Sequence, residues 1–293
     1  MTSRYGNRYV TVLIYTVLAL TGILSVLPIW HVLSVSLSRP GAAAGGLVTL
    51  WPVGFSTEAY RFILEDPKFL RAFGVSAQRV LLGGALNLVL TILMAYPLSR
   101  QVREFRSRNF YMWFLVFLLL FSGGLIPLYM LVRQLNLLDT IWSLVLPTAV
   151  PIFNVILLMN FFRALPKELE EAAIMDGAGA LRLLWSIILP LSLPALATIT
   201  LFSVVGHWNA FFDGLIYMNT PDHYPLQTYI QQLVVRPDPL NNPMIAEELR
   251  ARSFDQLTLN AAKLVVTMLP ILIIYPFLQR YFIHGIVLGS VKE

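Results

Sequence analysis

The sequence has 293 residues, 57% of them hydrophobic and only 13% charged, with a mean hydropathy of +0.70. Soluble domains carry about 25% charged residues, so this composition excludes a water-soluble enzyme and, in the opposite direction, a disordered chain. The formal net charge is +5, an excess that in a membrane protein marks cytoplasmic loops rather than nucleic-acid binding. There are no cysteines, which removes disulfides, thiolate metal sites, cysteine nucleophiles and lipoprotein-type anchoring.

A helix needs about 20 apolar residues to cross the hydrocarbon core, and six stretches qualify. The first, about 10–35, has no formal charge and follows Arg4 and Arg8. That start resembles a signal peptide, but the apolar run is too long and lacks a small-x-small cleavage site, so a retained span is predicted. The second, about 72–98, is interrupted only by Arg79, whose place near one end predicts snorkelling to the interface. The others fall at about 110–132, 141–162, 183–205 and 264–282. The predicted fold class is all-α: a polytopic membrane protein of six transmembrane helices, forming a single domain over residues 1–293.

The short link after the second span holds Arg100, Arg103, Arg106 and Arg108 against Glu104, which makes it cytoplasmic. Six spans then put both termini in the cytoplasm, in agreement with Arg4, Arg8, Arg280 and Lys292. Two long loops, 36–71 and 206–262, fall outside. Trp51, Trp208, Tyr224 and Tyr229 in them suit interfacial anchors. Asp213, Asp222, Asp238, Glu247, Glu248 and Asp255 make the second loop acidic, suited to a basic patch on a partner and poor as a seat for an anion.

The cytoplasmic loop 163–182 is the most informative segment. Pro166 suits the first helical position, Glu168, Glu170 and Glu171 suit the first turn, and Gly177 and Gly179 suit a helix stop. Leu165, Leu169 and Ala172 share one face of this short amphipathic helix, and Glu168 and Glu171 share another. The helix is shaped to lie in a groove on a soluble partner; its acidic face opposes resting on an anionic leaflet.

The run Glu171-Ala172-Ala173-Ile174-Met175-Asp176-Gly177-Ala178, followed by Ile188-Leu189-Pro190 and Pro194, resembles the EAA motif of ABC importer permeases. Asp176-Gly177 and the leading Pro166-x-Glu168-Leu169 resemble the carbohydrate-uptake branch. The resemblance covers nearly the whole chain and implies six transmembrane helices with a cytoplasmic coupling helix between helices four and five. It implies that Glu168, Glu171, Ala172, Ala173, Asp176 and Gly177 dock on a cytoplasmic ATPase. The implied partners are a second, homologous permease, two ATPase subunits that bind ATP and Mg, an extracytoplasmic substrate-binding protein and membrane lipid. No nucleic acid is implied. The implied location is the bacterial cytoplasmic (inner) membrane, and the implied motion is alternating access. Physically, small alanines let the helix seat closely, and Pro190 and Pro194 each delete a ladder hydrogen bond and bend the span that follows.

Softer resemblances lie further along. Trp208-Asn209, Asp213 and Tyr224-Pro225-Leu226-Gln227 resemble the external loop of sugar permeases. The tail from Tyr275-Pro276-Phe277 to Val291-Lys292 resembles a subgroup importing pectin, xylan or alginate fragments, although His284 stands where that subgroup has a basic residue nearby. No G-x-x-x-x-G-K-[ST] run occurs, so the ATPase is a separate chain, and this chain is a transport subunit, not an enzyme. It offers no catalytic or metal-binding set and no cofactor site of its own.

Polar residues within spans are candidates for the sugar pathway: Asn87, Thr91, Asn154 and Thr198, with Trp208 and Asn209 beyond. The competing reading for Asn87 and Asn154 is interhelical hydrogen bonding. His31 and His207 read as interfacial or packing residues. The alternatives to an oligosaccharide permease are an ABC permease for another small solute and an ion-coupled secondary carrier. A carrier calls for mid-span carboxylates or histidines, and the six stretches hold none.

Overall fold

The computed structural model describes residues 6–235 and 256–290. Among them the regular structure is helical. There is no strand, and the one isolated β-bridge joins Ser38 and Phe55. In chain order the α-helices are α1 (Gly6–Ser36), α2 (Glu58–Glu65), α3 (Pro67–Ser99), α4 (Arg108–Leu120), α5 (Leu125–Gln134), α6 (Ile141–Val145) and α7 (Ile152–Ala164). They continue as α8 (Lys167–Met175), α9 (Ala180–Leu183), α10 (Leu189–Leu191), α11 (Leu193–Asn209), α12 (Phe212–Tyr217), α13 (Leu226–Val235) and α14 (Gln256–Ser290). A 3₁₀ turn, Leu146–Thr148, follows α6, and a π turn, Leu184–Ile188, joins α9 to α10.

Three helices are long and apolar enough to cross a membrane alone: Val10–Ser36, Pro67–Ser99 and Leu257–Phe277. Three further candidates are bent pairs, so the total reaches up to six. The third predicted span is not one rod: Arg108–Leu120 and Leu125–Gln134 meet at 111°. Its break falls at Gly123-Gly124, where Gly124 takes φ +87, a conformation open to glycine. The fourth bends by 47° between Thr148 and Ile152, and the fifth by 82° between Leu191 and Leu193. The fifth bend lies between Pro190 and Pro194, as their missing donors dictate. The predicted long loops hold helices as well: α2 and the start of α3 lie within 36–71, and α12, α13 and the start of α14 within 206–262.

The chain packs as two compact units. One comprises Met1–Pro67 and Gln232–Leu269. In it, the described side chains of α1 up to His31 are exposed. The last turns of α1 hold the following loop: the Trp30 indole and the Ser34 hydroxyl donate to the Leu50 carbonyl at 2.7 and 2.8 Å, and His31 Nδ1 lies 2.7 Å from the Thr49 carbonyl. Helix α2 buries Ala59 and Ile63, and its Tyr60 hydroxyl meets Ser36 at 2.6 Å. The other unit comprises Lys68–Gln231 and Pro270–Glu293. Its core is built from Ile92, Ala95 and Leu98 of α3, Leu115 of α4, Val155, Leu158, Met159 and Phe162 of α7, and apolar residues from Ala173 to Ile199.

Candidate functional site

Two places in the second unit concentrate chemistry. The first is α8 with its flanks. Pro166 sits just before the helix with extended ψ 125, and Glu168 and Glu170 occupy the first turn, where carboxylates complement the helix dipole. The end is a Schellman motif: the Gly177 N–H donates to the Ile174 carbonyl and the Ala178 N–H to the Ala173 carbonyl, both at 2.9 Å. Gly177 supplies φ +80 with open space around its Cα. Gly179, predicted as part of the stop, instead caps the start of α9.

Helix α8 divides into two faces. Ala173 is buried in the unit's core. Glu170 pairs with Arg100 at the end of α3, whose guanidinium lies 4.4 Å over the Tyr96 ring. Arg108 and Arg163 both donate to the Leu98 carbonyl, at 2.9 and 3.4 Å, so cations finish α3 where its carbonyls lack partners. The other face is open. Glu168, Glu171, Ala172, Asp176 and Gly177 are exposed, alongside Leu169, Ile174, Met175 (86% exposed), Leu181 and Trp185. Of the two motif alanines, Ala172 faces out and Ala173 faces in.

The second place is a polar stripe along α3. Ser76, Arg79, Gly83, Asn87 and Thr91 are all buried and recur at three- or four-residue spacing on one face. Arg79 is 1% exposed and does not snorkel. Its guanidinium donates to the Ala210 carbonyl at 3.2 Å and forks onto the Asp213 carboxylate of α12, one arm at 3.1 Å. An uncompensated charge at this depth is costly, and a bidentate partner offsets the cost. The carboxylate comes from a segment predicted to be loop, which is why a local reading of Arg79 missed it.

Asn87 does related work one level along. With its amide oriented by its partners, the nitrogen lies 3.1 Å from the carbonyls of Gly83, Thr148 and Ala149, and the oxygen accepts from His207 Nε2 at 3.2 Å. Thr148 and Ala149 sit at the 47° bend, where the helix can no longer supply their donors. Ser76 accepts the Leu226 N–H at 2.8 Å, at the start of α13. Asn154 on α7 donates to the Ile199 carbonyl and the Ser203 hydroxyl of α11, at 3.4 and 3.3 Å. Thr91 is buried with its hydroxyl unpartnered, and Thr198 bonds the Pro194 carbonyl at 2.8 Å. Trp208, predicted as an interfacial anchor, is buried with its ring edge-on to Phe73 at 5.6 Å. His207 packs in the bundle, while Asn209 is exposed. Trp51 is exposed, as an anchor needs to be, and Tyr224 and Tyr229 are half-buried. Of the acidic loop, Asp213 and Asp222 are matched by Arg79 and Arg71; Asp238, Glu247, Glu248 and Asp255 lie outside the described residues, as do Arg4 and Lys292.

Asp139 ties the α5–α6 link to the segment after α12. It accepts the N–H groups of Asn219 and Thr220 at 3.0 and 3.1 Å, the Thr220 hydroxyl at 2.6 Å, and His223 Nδ1 lies at 3.2 Å. Burial alone would push its carboxyl up, but these hydrogen bonds outweigh it and hold the pKa at about 2.

Long apolar helices, a bend whose carbonyls are met from inside the bundle and an exposed acidic helix between the fourth and fifth apolar segments describe a membrane-embedded protein with one face left open. The chain belongs to the family of binding-protein-dependent transport system inner membrane components, whose sequence profile matches residues 78–287. It is therefore a multi-pass inner-membrane protein and not itself an enzyme, and the secondary-carrier reading falls. Among its relatives is the polygalacturonan/rhamnogalacturonan transport system permease protein YtcP of Bacillus subtilis (strain 168), 39% identical over 286 residues, or 98% of this chain and 99% of that one. Protein LplC of the same organism is 38% identical over 278 residues, covering 92% and 90%. The fold is similar to a chain in the crystal structure of a bacterial ABC transporter involved in the import of the acidic polysaccharide alginate. The TM-score is 0.88 at 30% identity, over 96% of this chain and 99% of that one.

Proposed function

We propose that this chain is one permease half of an ATP-driven importer of oligosaccharides, with acidic fragments such as oligogalacturonides or alginate pieces as its substrate class. The observation that carries the reading is α8: an acidic, apolar-edged helix anchored at Ala173 and Glu170 and otherwise left open. Two similar proteins support the substrate class, because one is named for polygalacturonan/rhamnogalacturonan transport and the other belongs to a transporter involved in the import of alginate. Pairing of Asp213 and Asp222 with arginines also reduces the repulsion an anionic sugar would meet near that loop.

In this reading α1, α3, α4–α5, α6–α7, α9–α11 and α14 are six crossings of one permease domain spanning residues 1–293. Both termini and α8 lie in the cytoplasm. Glu168, Glu171, Ala172 and Asp176 enter a groove on an ATPase subunit, Ala173 fixes the seat of the helix, and Gly177 turns the chain out of it. Two ATPase subunits bind ATP and Mg, a second homologous permease completes the pathway, and an extracytoplasmic binding protein delivers the sugar. Asn209 meets the sugar directly, while Asn87, Thr91, Asn154, Thr198 and Trp208 shape the wall from behind.

The test is reconstitution of the four-subunit importer in liposomes with its binding protein. ATP-dependent uptake of trigalacturonate or an alginate trimer, exceeding that of a neutral trisaccharide, is expected. Glu171→Lys should abolish uptake and the binding protein's stimulation of ATP hydrolysis while leaving the permease folded. Uptake without ATP, or full coupling in Glu171→Lys, refutes the reading.

A further inference from the structure

The Arg79–Asp213 pair is more than a neutralised charge. Helix α11 ends at Asn209 and α12 begins at Phe212, so the chain turns a corner at Ala210 and Phe211. Arg79 holds both sides of that corner, the Ala210 carbonyl and the Asp213 carboxylate. Asp213 Oδ1 also accepts the Gly214 N–H at 2.9 Å. Close packing removes the remaining slack. A Cβ on Gly83 would lie 2.5 Å from the His207 ring, and one on Gly214 would lie 2.1 Å from the Thr228 hydroxyl. Outside this clamp the corner presents an exposed amide and two exposed rings, Asn209, Phe211 and Phe212. Well-packed apolar residues often match or exceed a buried ion pair in stability, so stability alone does not account for a charge pair at this depth.

We propose that Arg79 is a positioning residue for transport: through Ala210 and Asp213 it locks the α11–α12 corner to α3. Asn209, Phe211 and Phe212 then meet the sugar as one fixed ledge throughout the cycle. The bending that alternating access requires takes place elsewhere, at Ser192 and at Phe121–Gly124, where no such clamp spans the break among the described residues. This rests on the permease reading above.

The absence of cysteine allows a direct test on the assembled importer in lipid nanodiscs. Spin labels at Gln78→Cys on α3 and Ile216→Cys on α12 report the α3–α12 distance. The same distance is expected in the nucleotide-free and the ATP-trapped complex. The double variant Arg79→Met/Asp213→Leu, free of unpaired charge, should assemble and hydrolyse ATP. It should nonetheless lose about tenfold or more in sugar moved per ATP, within the roughly hundredfold that a 1 Å misplacement of a positioned group can cost. Arg79→Lys, which keeps the charge without the fork, should fall between. A labelled distance that changes with nucleotide overturns the proposal, as does an assembled double variant with wild-type uptake per ATP. If the double variant does not assemble, the distance measurement decides. A wild-type complex that moves no oligosaccharide refutes the permease reading, and the distance still tests the lock.

Discussion

The polar stripe of α3 and the open face of α8 are built from the same kinds of side chain and do opposite work. On α3, Ser76, Arg79 and Asn87 point into the bundle and end on backbone groups at corners and breaks of other helices. On α8, Glu168, Glu171 and Asp176 point out and remain exposed. Inside a bilayer a broken helix is tolerated only where protein or water satisfies its freed carbonyls and amides, and the stripe of α3 supplies that at the Thr148–Ala149 bend and at the Ala210 corner. Outside the bilayer, exposed polar groups cost little and remain available to a partner. The difference teaches that polarity within a span is not by itself a pathway signal: Asn87 and Asn154 are spent on the bundle.

The comparison breaks most visibly at Asn87. Asn87→Leu removes the amide from the Thr148 and Ala149 carbonyls and from His207, leaving buried polar groups unsatisfied at about 1–3 kcal/mol. The purified permease should unfold at lower temperature, and hydrogen exchange should quicken around residues 146–152. ATPase docking should be unchanged in the protein that remains folded. An unaltered unfolding temperature would mean that water or relaxation replaces the amide, and that the stripe does not seal the bend.

Gly177 probes the other region. Its φ of +80 costs a residue with a Cβ about 1–2 kcal/mol, although open space surrounds it. Gly177→Ala should therefore loosen the end of α8 alone. The expected outcome is a global unfolding temperature close to wild type, with severalfold weaker stimulation of ATP hydrolysis by the loaded binding protein. A large stability loss with intact coupling would reverse the assignment of the two regions.

These two sites also mark how far the sequence is legible. Helix α8 is local, and its signals are read within a dozen residues: Glu168 and Glu170 keep the first turn and Gly177 the stop, while Pro166 sits one position before the first helical residue rather than on it, and Glu171 one position past the first turn. The apolar segments are legible for the same reason, because hydropathy is a local property, although three of them fold as bent pairs rather than single rods. The break at Gly123-Gly124 carried a signal in its paired glycines that apolarity hid, whereas Pro190 and Pro194 announced the bend at Ser192. Arg79 is not legible, because its carboxylate partner lies 134 positions away in a segment that the sequence predicts to be loop. Trp208 misled in the same way. Its ring suits an interface, but Phe73 on a distant helix buries it. What depends on neighbours in sequence can be read early; what depends on which helices meet cannot.

The smallest expected effect tests the corner clamped by Asp139, which follows the logic of the α3 stripe without its burial. Its carboxylate is stabilised in the folded chain, with a pKa near 2 against an ordinary 3.8. A depressed folded pKa contributes stability that is fully present above the unfolded value and lost as protons bind. The contribution should thus be constant from neutral pH down to about 5 and should disappear between about pH 4 and pH 2. Asp139→Asn, which cannot ionise, should be slightly less stable than wild type at pH 7, and the gap should narrow as the pH falls through that window. Thermal unfolding of both proteins in detergent between pH 7 and pH 2.5 measures it. A gap that stays constant with pH would mean that Asp139 acts through shape rather than charge. No gap at any pH would mean instead that an amide oxygen meets the hydrogen bonds from Asn219 and Thr220 as well as the carboxylate does.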